Sequence, residues 1–312
     1  MNFSRDDVCV LIPTLNEKTT IGSIIIELQA LGYHNILVVD GHSTDGTPEI
    51  ARILGAEVMT QMGRGKGAAM IEAFARITTP YILMLDGDGT NPPEYADAMI
   101  EPLASGRADL VIGNRLNQYE RGALTRLNLW GNRLMNTLFK WAHGVYMTDI
   151  LSGYRAFTLV SVQQMNLTEE GFEIETEISS TVVHHGLKFE VVPTFYKKRS
   201  GSPTKLHPVR DGYKILRAIN RYGKMNNPLF HFSVIGVLMG VAGFSLGLHV
   251  FDKWLTGIEH LFIGILTMLL MVAGILTFMI GFISDMILGY HHEVMRELRD
   301  LRINLEEREK KS

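Results

Sequence analysis

The chain has 312 residues with a formal net charge of −3, and 46% of its residues are hydrophobic. This length suits one large α/β domain with an appendage, and the lack of a long basic block argues against a nucleic-acid-binding protein. The single cysteine, Cys9, lies in an apolar run and cannot form an intramolecular disulfide, so we interpret it as a core residue. The polar residues 1–7 do not resemble a secretory signal, and we expect the folded N-terminal part to stay in the cytoplasm.

Three apolar runs in the first third of the chain each lead into a polar turn that contains an acidic residue. Runs of this length, bounded by turn residues, predict buried β-strands. Because the carboxyl ends of parallel strands meet at one edge of a sheet, where ligands bind, we expect these acidic side chains to lie close together. The runs are residues 8–15, 35–39 and 80–85, and the acidic residues that follow them are Glu17, Asp40, Asp86 and Asp88.

Asp86-Gly87-Asp88 is the most informative motif among these turns. Its two carboxylates are hard oxygen donors, which suit Mg²⁺ or Mn²⁺ carrying a diphosphate. Gly87 and Gly89 leave room for a ligand to approach the backbone. A strand that ends in Asp and Gly is also typical of a plain turn, so the motif gains its weight from the neighbouring segments.

The order and spacing of three segments resemble the nucleotide-sugar half of a family 2 glycosyltransferase with the GT-A fold. These segments are residues 13–17, 40–47 and 86–88, and the resemblance extends over residues 8–206. It implies an α/β fold with a Rossmann-like, mixed but mainly parallel sheet, and a metal held by Asp86 and Asp88. Gly41 stands where many relatives carry a second Asp. The residues that the resemblance assigns to the nucleotide sugar are Pro13, Leu15, Glu17, Asp40, Lys66, Asp86, Gly87 and Arg199.

The composition changes abruptly after Pro228. Residues 230–251 and 261–284 contain no Asp, Glu, Lys or Arg, and each run is long enough to cross about 30 Å of hydrocarbon as a helix. We interpret residues 229–285 as a transmembrane hairpin, and two buried helices in a soluble core are the alternative. Lys and Arg are plentiful before the first run and after the second, which predicts that both ends face the cytoplasm of a two-span cell-membrane protein.

Three segments outside these spans have amphipathic patterns. Residues 121–145 place Leu and Trp every three or four positions among basic residues, which is typical of an interfacial helix, although a helix packed on the sheet would show the same stripe. Residues 207–228 predict a basic juxtamembrane helix that favours anionic headgroups. Residues 286–312 predict an amphipathic cytoplasmic helix. Its stripe, which fits either a coiled coil between subunits or a helix lying on the catalytic domain, is Val294, Leu298, Leu301 and Leu305.

A GT-A domain of residues 1–206 joined to a hairpin further resembles the dolichyl- and polyprenyl-phosphate sugar synthases. The matching segments are residues 109–115, residues 130–137 and residues 149–155, and residues 199–206 resemble a basic acceptor loop that is one residue longer than usual. The resemblance implies that the catalytic residues are Asp88, Arg115 and Asp149. It assigns the lipid phosphate to Arg115, Arg133, Thr137, Ser152 and Lys205.

The resemblance also implies an inverting transfer of a hexose or N-acetylhexosamine from a UDP- or GDP-linked sugar to dolichyl or polyprenyl phosphate, with Mg²⁺ or Mn²⁺. When the bond to the sugar breaks, negative charge grows on the departing nucleoside diphosphate, and a divalent cation with an arginine nearby neutralises it without proton transfer. A lipid phosphate is already anionic, so it needs basic side chains to approach the donor more than it needs a general base. The expected partners are the nucleotide sugar, the lipid phosphate, the bilayer and a second copy of the chain.

Other interpretations of the same residues stay open. A processive polysaccharide synthase shares the donor motifs but normally carries a Q-x-x-R-W element and more spans, and a catalytically silent adaptor would not need Asp86, Asp88, Arg115 and Arg133. A family 2 transferase with another membrane-bound acceptor is a further alternative. Asp40 is also a candidate helix cap, and Arg155 a candidate partner of a carboxylate in residues 173–177. Residues 63–67 lack the Walker spacing and predict a Gly-rich turn that opens a helix.

Overall fold

The computed structural model describes residues 3–200, 203–205, 207–256 and 261–309. The chain divides into two compact units, of which the first comprises residues 1–140 and 145–222 and the second comprises residues 141–144 and 223–312.

The first unit is built around a seven-stranded sheet. Its strands are β1 (Val8–Thr14), β2 (Ile36–Asp40), β3 (Glu57–Thr60), β4 (Tyr81–Met84), β5 (Leu110–Tyr119), β6 (Arg155–Thr158) and β7 (Phe189–Tyr196). The order across the sheet is β3-β2-β1-β4-β6-β5-β7. Only β6 runs antiparallel to its neighbours β4 and β5, and the other pairs are parallel. The predicted mixed, mainly parallel GT-A sheet is confirmed.

Helices connect these strands, and one further helix follows the last strand. They are α1 (Ile21–Ala30), α2 (Thr47–Ile53), α3 (Lys66–Phe74), α4 (Ala96–Ala104), α5 (Arg126–His143), α6 (Leu159–Gln163), α7 (Ile174–His184) and α8 (Pro208–Asn226). In α1 the buried apolar residues are Ile21, Ile24, Ile25 and Leu28, at positions i, i+3, i+4 and i+7, whereas Ile26 is exposed, which is the pattern of a helix packed on a sheet. Cys9 is buried in β1 as predicted, and burial raises the pKa of its thiol to about 12.

The strand order places the ligand crevice. The chain passes from β1 to β2 and β3 on one side of the sheet and then returns to β4 on the other side of β1. The strand order therefore reverses at β1, and in open α/β sheets a ligand crevice lies at the carboxyl ends of the strands at such a point. The turns after β1 and β4 carry Glu17 and the Asp86-Gly87-Asp88 motif, and Asp40 is the last residue of β2. The sheet therefore gathers these residues at one edge.

The second unit contains the helices α9 (Pro228–Leu255) and α10 (Leu261–Glu309). Both contain stretches long and apolar enough to cross a membrane, and few of their residues are buried. Glycines let the two backbones approach closely: a Cβ on Gly236 would lie 2.7 Å from the carbonyl oxygen of Gly274, and one on Gly281 would lie 2.6 Å from Cβ of Phe232. The alternative of two buried helices in a soluble core does not fit this exposure.

The C-terminal segment differs from its prediction in one respect. Residues 286–309 do not form a separate helix but continue α10 beyond the apolar stretch, which ends at His291. No Gly or Pro in residues 290–309 interrupts the helical hydrogen bonds. Val294 and Leu298 of the predicted stripe are exposed, whereas the side chains of Leu301 and Leu305 lie outside the described residues, as do residues 310–312.

Candidate active site

Two adjacent carboxylates follow β4. Asp88 is buried, and its Oδ1 accepts hydrogen bonds from the amide nitrogen and hydroxyl of Thr90 at 3.1 and 2.7 Å. The loop of residues 86–88 packs this closely because glycines stand at Gly87 and Gly153. A Cβ on Gly87 would lie 2.7 Å from Cγ2 of Thr14, and one on Gly153 would lie 2.3 Å from Oδ2 of Asp86.

The two carboxylates differ in their electrostatic surroundings. Burial alone would raise the pKa of Asp86, but the ammonium group of Lys66, 2.5 Å from its Oδ1, outweighs this and lowers it. Burial and then the negative charge of Asp86 raise the pKa of Asp88. This mutual repulsion between two hard oxygen donors is what a divalent cation relieves, so the pair fits Mg²⁺ or Mn²⁺. Among the described residues no cluster of three or more His, Cys, Asp or Glu side chains forms a metal site.

Basic side chains surround this pair. Lys66 bridges Asp86 and Glu175, with its Nζ 2.7 Å from Oε1 of Glu175. Arg199 places Nη1 3.2 Å from Oδ2 of Asp88 and Nη2 2.8 Å from Oε1 of Glu17. The structure thus brings together residues from five distant parts of the sequence. Glu175 was not among the predicted site residues, and its i, i+2 repeat with Glu173 and Glu177 gave no indication of which carboxylate faces the site.

Lys66 reaches this position from the Gly-rich turn of residues 63–67. The turn opens α3, as predicted, and the amide nitrogens of Gly67 and Ala68 donate to the carbonyl oxygen of Glu170 at 2.8 and 3.3 Å. A Cβ on Gly67 would lie only 2.0 Å from the carbonyl oxygen of Glu169. These first helical N–H groups already have a carbonyl partner, so the turn presents the Lys66 side chain rather than a backbone cradle for phosphate.

Asp40 ends β2 and is buried beside Thr14 of β1. Its Oδ2 accepts a hydrogen bond from the amide nitrogen of Ser43 at 2.9 Å, whereas its buried Oδ1 has no hydrogen-bond partner in the described structure. Because α2 begins at Thr47 with Gly46 as its N-cap, the interpretation of Asp40 as a helix cap is wrong. A buried carboxylate oxygen without a partner suits a hydrogen-bond donor on a ligand.

Arg115 and Asp149 form a second cluster. Asp149 is fully buried, and its Oδ2 lies 3.0 Å from Nε of Arg115. Nη2 of Arg115 donates to the carbonyl oxygen of Leu151 at 2.7 Å, and the guanidinium lies over the ring of Tyr196. Burial alone would lower the pKa of Arg115, but Asp149 outweighs this and raises it. Asp149 therefore orients a permanently charged arginine.

Arg155 supports the loop that holds Arg115. It is fully buried, and it donates to the carbonyl oxygens of Ile150 and Ser152 at 2.6 and 2.9 Å and to the hydroxyl of Ser179 at 3.1 Å. Burial lowers its pKa to about 10. The expected ion pair with residues 173–177 is wrong for the described residues, because the oxygens that solvate this guanidinium are those of the loop and Ser179. Nothing in the sequence pattern distinguished a buried arginine from a surface one.

The residues assigned to the lipid phosphate are more dispersed. Lys205 forms an ion pair with Glu17, and Ser152 is fully buried. Arg133 is exposed on α5, where its carbonyl oxygen accepts a hydrogen bond from the hydroxyl of Thr137 at 2.9 Å. In the described structure, no hydrogen bond or ion pair joins the side chains of Arg133 and Thr137 to Asp86, Asp88 or Arg115.

Helix α5 exposes large apolar side chains on one face, as a helix at a membrane interface does. Leu127 and Trp130 are 70% and 63% exposed, whereas Asn136 and Phe139 are buried. The predicted apolar stripe therefore does not pack on the sheet along these positions. On α8 the apolar side chains of Val209 and Tyr213 are likewise exposed.

The crevice of this GT-A sheet contains two carboxylates that suit a divalent metal and several basic side chains beside them. This arrangement is typical of nucleotide-sugar transferases. Residues 9–159 match the family model "Glycosyl transferase family 2". The chain is 45% identical to the glycosyltransferase AglJ of Haloferax volcanii, over 95% of this chain and 98% of that protein. It is 33% identical to a dolichyl-phosphate hexose transferase of the same organism, over 70% of this chain and 94% of that protein. The chain belongs to glycosyltransferase family 2.

A solved structure supports the fold. Glucosyl-3-phosphoglycerate synthase from Mycobacterium tuberculosis, in complex with Mn²⁺, UDP-glucose and phosphoglyceric acid, superposes with a TM-score of 0.57. The two chains are 20% identical, and the match covers 70% of this chain and 80% of that one.

Proposed function

We propose that this family 2 glycosyltransferase transfers a hexose or an N-acetylhexosamine from a UDP- or GDP-linked sugar to dolichyl or polyprenyl phosphate, with inversion at the anomeric carbon. Activity on a nucleotide sugar follows from the family, and the anionic lipid acceptor is the new element. The observation that carries it is that carboxylates hold basic side chains in two places, Lys66 and Arg199 beside Asp86 and Asp88, and Arg115 beside Asp149, which offers N–H donors to a second phosphate besides the metal-bound diphosphate. One relative from Haloferax volcanii is a dolichyl-phosphate hexose transferase, which supports this choice of acceptor.

On the donor side, Asp86 and Asp88 would hold Mg²⁺ or Mn²⁺, which supplies positive charge to the departing diphosphate. The unpartnered Oδ1 of Asp40 is available to a donor group of the nucleoside, and the family resemblance assigns Pro13 and Leu15 to the same nucleotide sugar. Lys66 adds a fixed cation beside Asp86. These residues stabilise charge without moving a proton, because a nucleoside diphosphate is a good leaving group.

On the acceptor side, Arg115 meets the lipid phosphate as a cation that Asp149 and the carbonyl oxygen of Leu151 hold in place. Asp149 then acts through Arg115 and not as a general base, since a lipid phosphate is deprotonated at neutral pH. Arg133 and Thr137, on the exposed apolar helix α5, assist at the bilayer surface. Attack by the phosphate oxygen opposite the leaving group inverts the anomeric centre.

The second unit anchors the enzyme. In this proposal α9 and the apolar part of α10 are two spans of the cell membrane, and the basic flanks of the spans place both termini in the cytoplasm. The exposed apolar residues of α5 and α8 lie on the membrane surface. The enzyme thus works where its lipid substrate is.

A donor screen tests the proposal. The purified protein is incubated with radiolabelled UDP- and GDP-sugars, Mg²⁺ or Mn²⁺, and either polyprenyl phosphate or unphosphorylated polyprenol. We expect an organic-extractable sugar only with the phosphorylated lipid. Products that grow into long chains would indicate a processive synthase, transfer to another lipid would identify a different acceptor, and no turnover of any nucleotide sugar would indicate an adaptor.

A further inference from the structure

Glu17 is a buried carboxylate whose position is fixed by its backbone. Its side chain is only 5% exposed. Its amide nitrogen donates to the hydroxyl of Thr47 at 2.9 Å, and its carbonyl oxygen accepts from the amide nitrogens of Thr20 and Ile21 at 3.1 and 3.0 Å. The turn between β1 and α1 therefore holds this side chain rigidly beside the donor carboxylates.

Two cations from a remote part of the chain converge on Glu17. Its Oε1 lies 2.8 Å from Nη2 of Arg199 and also pairs with Nζ of Lys205, which are 182 and 188 positions later in the sequence. Arg199 contacts Asp88 with its other terminal nitrogen. Glu17 thus joins the donor half of the sheet to the two basic residues that follow β7.

The charges at this point favour a structural role for Glu17. An unpaired buried carboxylate next to a diphosphate would repel it, and a buried charge left without a partner is strongly destabilising. Arg199 and Lys205 balance the negative charges of Glu17 and Asp88, so the paired Glu17 does not repel a phosphate as an unpaired carboxylate would. The ammonium group of Lys205 has three N–H donors and Glu17 occupies one of them, so Lys205 keeps donors for a second anion.

We propose that Glu17 is a positioning residue for the acceptor: it docks Arg199 and Lys205 beside the metal carboxylates so that they meet the lipid phosphate. The family resemblance instead assigns Glu17 to the nucleotide sugar. The inference rests on the proposed function, because it names which residues arrange the acceptor cations. Removing the charge of Glu17 then weakens use of the lipid and leaves nucleotide binding intact.

Glu17→Gln in the full-length protein tests the proposal, because it removes the charge at nearly constant shape. The control is Glu49→Gln, which makes the same change at an exposed carboxylate on α2. We expect the KM for polyprenyl phosphate to rise by about tenfold, as for loss of a charge-assisted contact. The affinity for UDP or GDP with Mg²⁺, measured by calorimetry, should stay within about twofold, a difference of only ~0.4 kcal/mol. Glu49→Gln should resemble the wild type in both measurements.

Limited trypsin digestion provides a readout that does not depend on activity. Cleavage after Arg199 and after Lys205 should be several times faster in Glu17→Gln than in the control, because both side chains lose a partner that holds them against the sheet. The digestion also separates the hypothesis that the enzyme uses a lipid phosphate from the hypothesis that Glu17 positions Arg199 and Lys205. If the wild type forms no lipid-linked sugar, the proposed function fails, while proteolysis and calorimetry still decide whether Glu17 docks the two cations.

A second variant covers the case in which Glu17→Gln does not fold. Lys205→Gln removes the partly exposed member of the pair and should raise the lipid KM in the same way. Where both variants fold, the double variant should be little worse than either single one, because the two residues act as a unit. Loss of nucleotide affinity with an unchanged lipid KM would place Glu17 in the nucleoside pocket, and unchanged proteolysis with an unchanged lipid KM would show that it docks nothing. Either result overturns the proposal.

Discussion

The crevice at the carboxyl edge of the sheet and the seam between α9 and α10 are both closely packed, but from opposite kinds of residue. In the crevice, charged side chains such as Lys66, Asp86 and Arg199 are partly or fully buried and hold one another by ion pairs. In the seam, Gly236 and Gly274 bring two backbones together without any charge. The stability of the crevice therefore depends on paired charges, whereas the seam depends on side-chain volume and has no room for a Cβ at Gly236 or Gly274.

The largest expected effect comes from removing one charge in the crevice. Asp88→Asn keeps the shape of the side chain, and its amide can still accept from Thr90, but it no longer suits a divalent cation. We expect transfer to fall by roughly a thousandfold or more, with little change in the midpoint of thermal unfolding. Chelation of the wild type with EDTA should also stop transfer, and added Mg²⁺ or Mn²⁺ should restore it.

The matched control is Asp6→Asn, the same change at an exposed carboxylate outside the crevice, which should leave the transfer rate unaltered. Near-normal turnover by Asp88→Asn would show that the carboxylate pair does not hold the metal.

A smaller effect is expected where a charge acts on the acceptor alone. Arg133→Ala removes an exposed guanidinium of α5, and the loss of a charge-assisted contact of about 1.5–3 kcal/mol corresponds to about a ten- to hundredfold fall in kcat/KM for the lipid phosphate. Nucleotide affinity with metal present should barely change. Arg133→Lys should recover only part of the loss, because an ammonium group does not reproduce a bidentate fork. A variant that loses nucleotide binding and keeps its lipid KM would assign Arg133 to the donor.

These contrasts also explain what the sequence did and did not reveal. Asp40, Asp86 and Asp88 follow short apolar runs, so strand topology alone predicts that they meet at one edge, and the α1 stripe predicts its buried face. The ion pairs of Glu17 with Arg199 and Lys205 depend on the path of the segment after β7 back to the turn that follows β1, which no local sequence pattern encodes. Arg155 was a candidate ion-pair partner of residues 173–177, and the sequence did not indicate that the folded chain buries this guanidinium and solvates it with three oxygens.

In the seam, the change that matters is one of size. Gly236→Ala places a Cβ 2.7 Å from the backbone carbonyl oxygen of Gly274, which has no flexible side chain to move aside. We expect overpacking to destabilise the hairpin by about 1–3 kcal/mol, measured by thermal or detergent-induced unfolding, without a change in nucleotide affinity.

The control for the seam lies one helical turn away. A Cβ on Gly240 meets no atom within 4 Å, so Gly240→Ala should leave the stability unchanged or slightly raise it. Equal destabilisation by both variants would mean that helix propensity, and not the close approach of α9 and α10, sets the stability of this unit.

The smallest expected effect is the maleimide labelling of Cys9. Because this background is low, cysteines introduced on either side of the hairpin can report its topology. Burial raises the pKa of this thiol to about 12, so near pH 8 the reactive thiolate is scarce, and the native protein should label very slowly with a maleimide. A cysteine introduced by Thr256→Cys should then label only from outside sealed cells, and one introduced by Glu297→Cys only after permeabilisation, because the basic flanks predict that both ends of the hairpin are cytoplasmic. Denaturant should expose Cys9 and restore its labelling. If both introduced cysteines label from the same side, α9 and α10 do not form two spans, and the proposal that they anchor the enzyme with both termini in the cytoplasm is wrong.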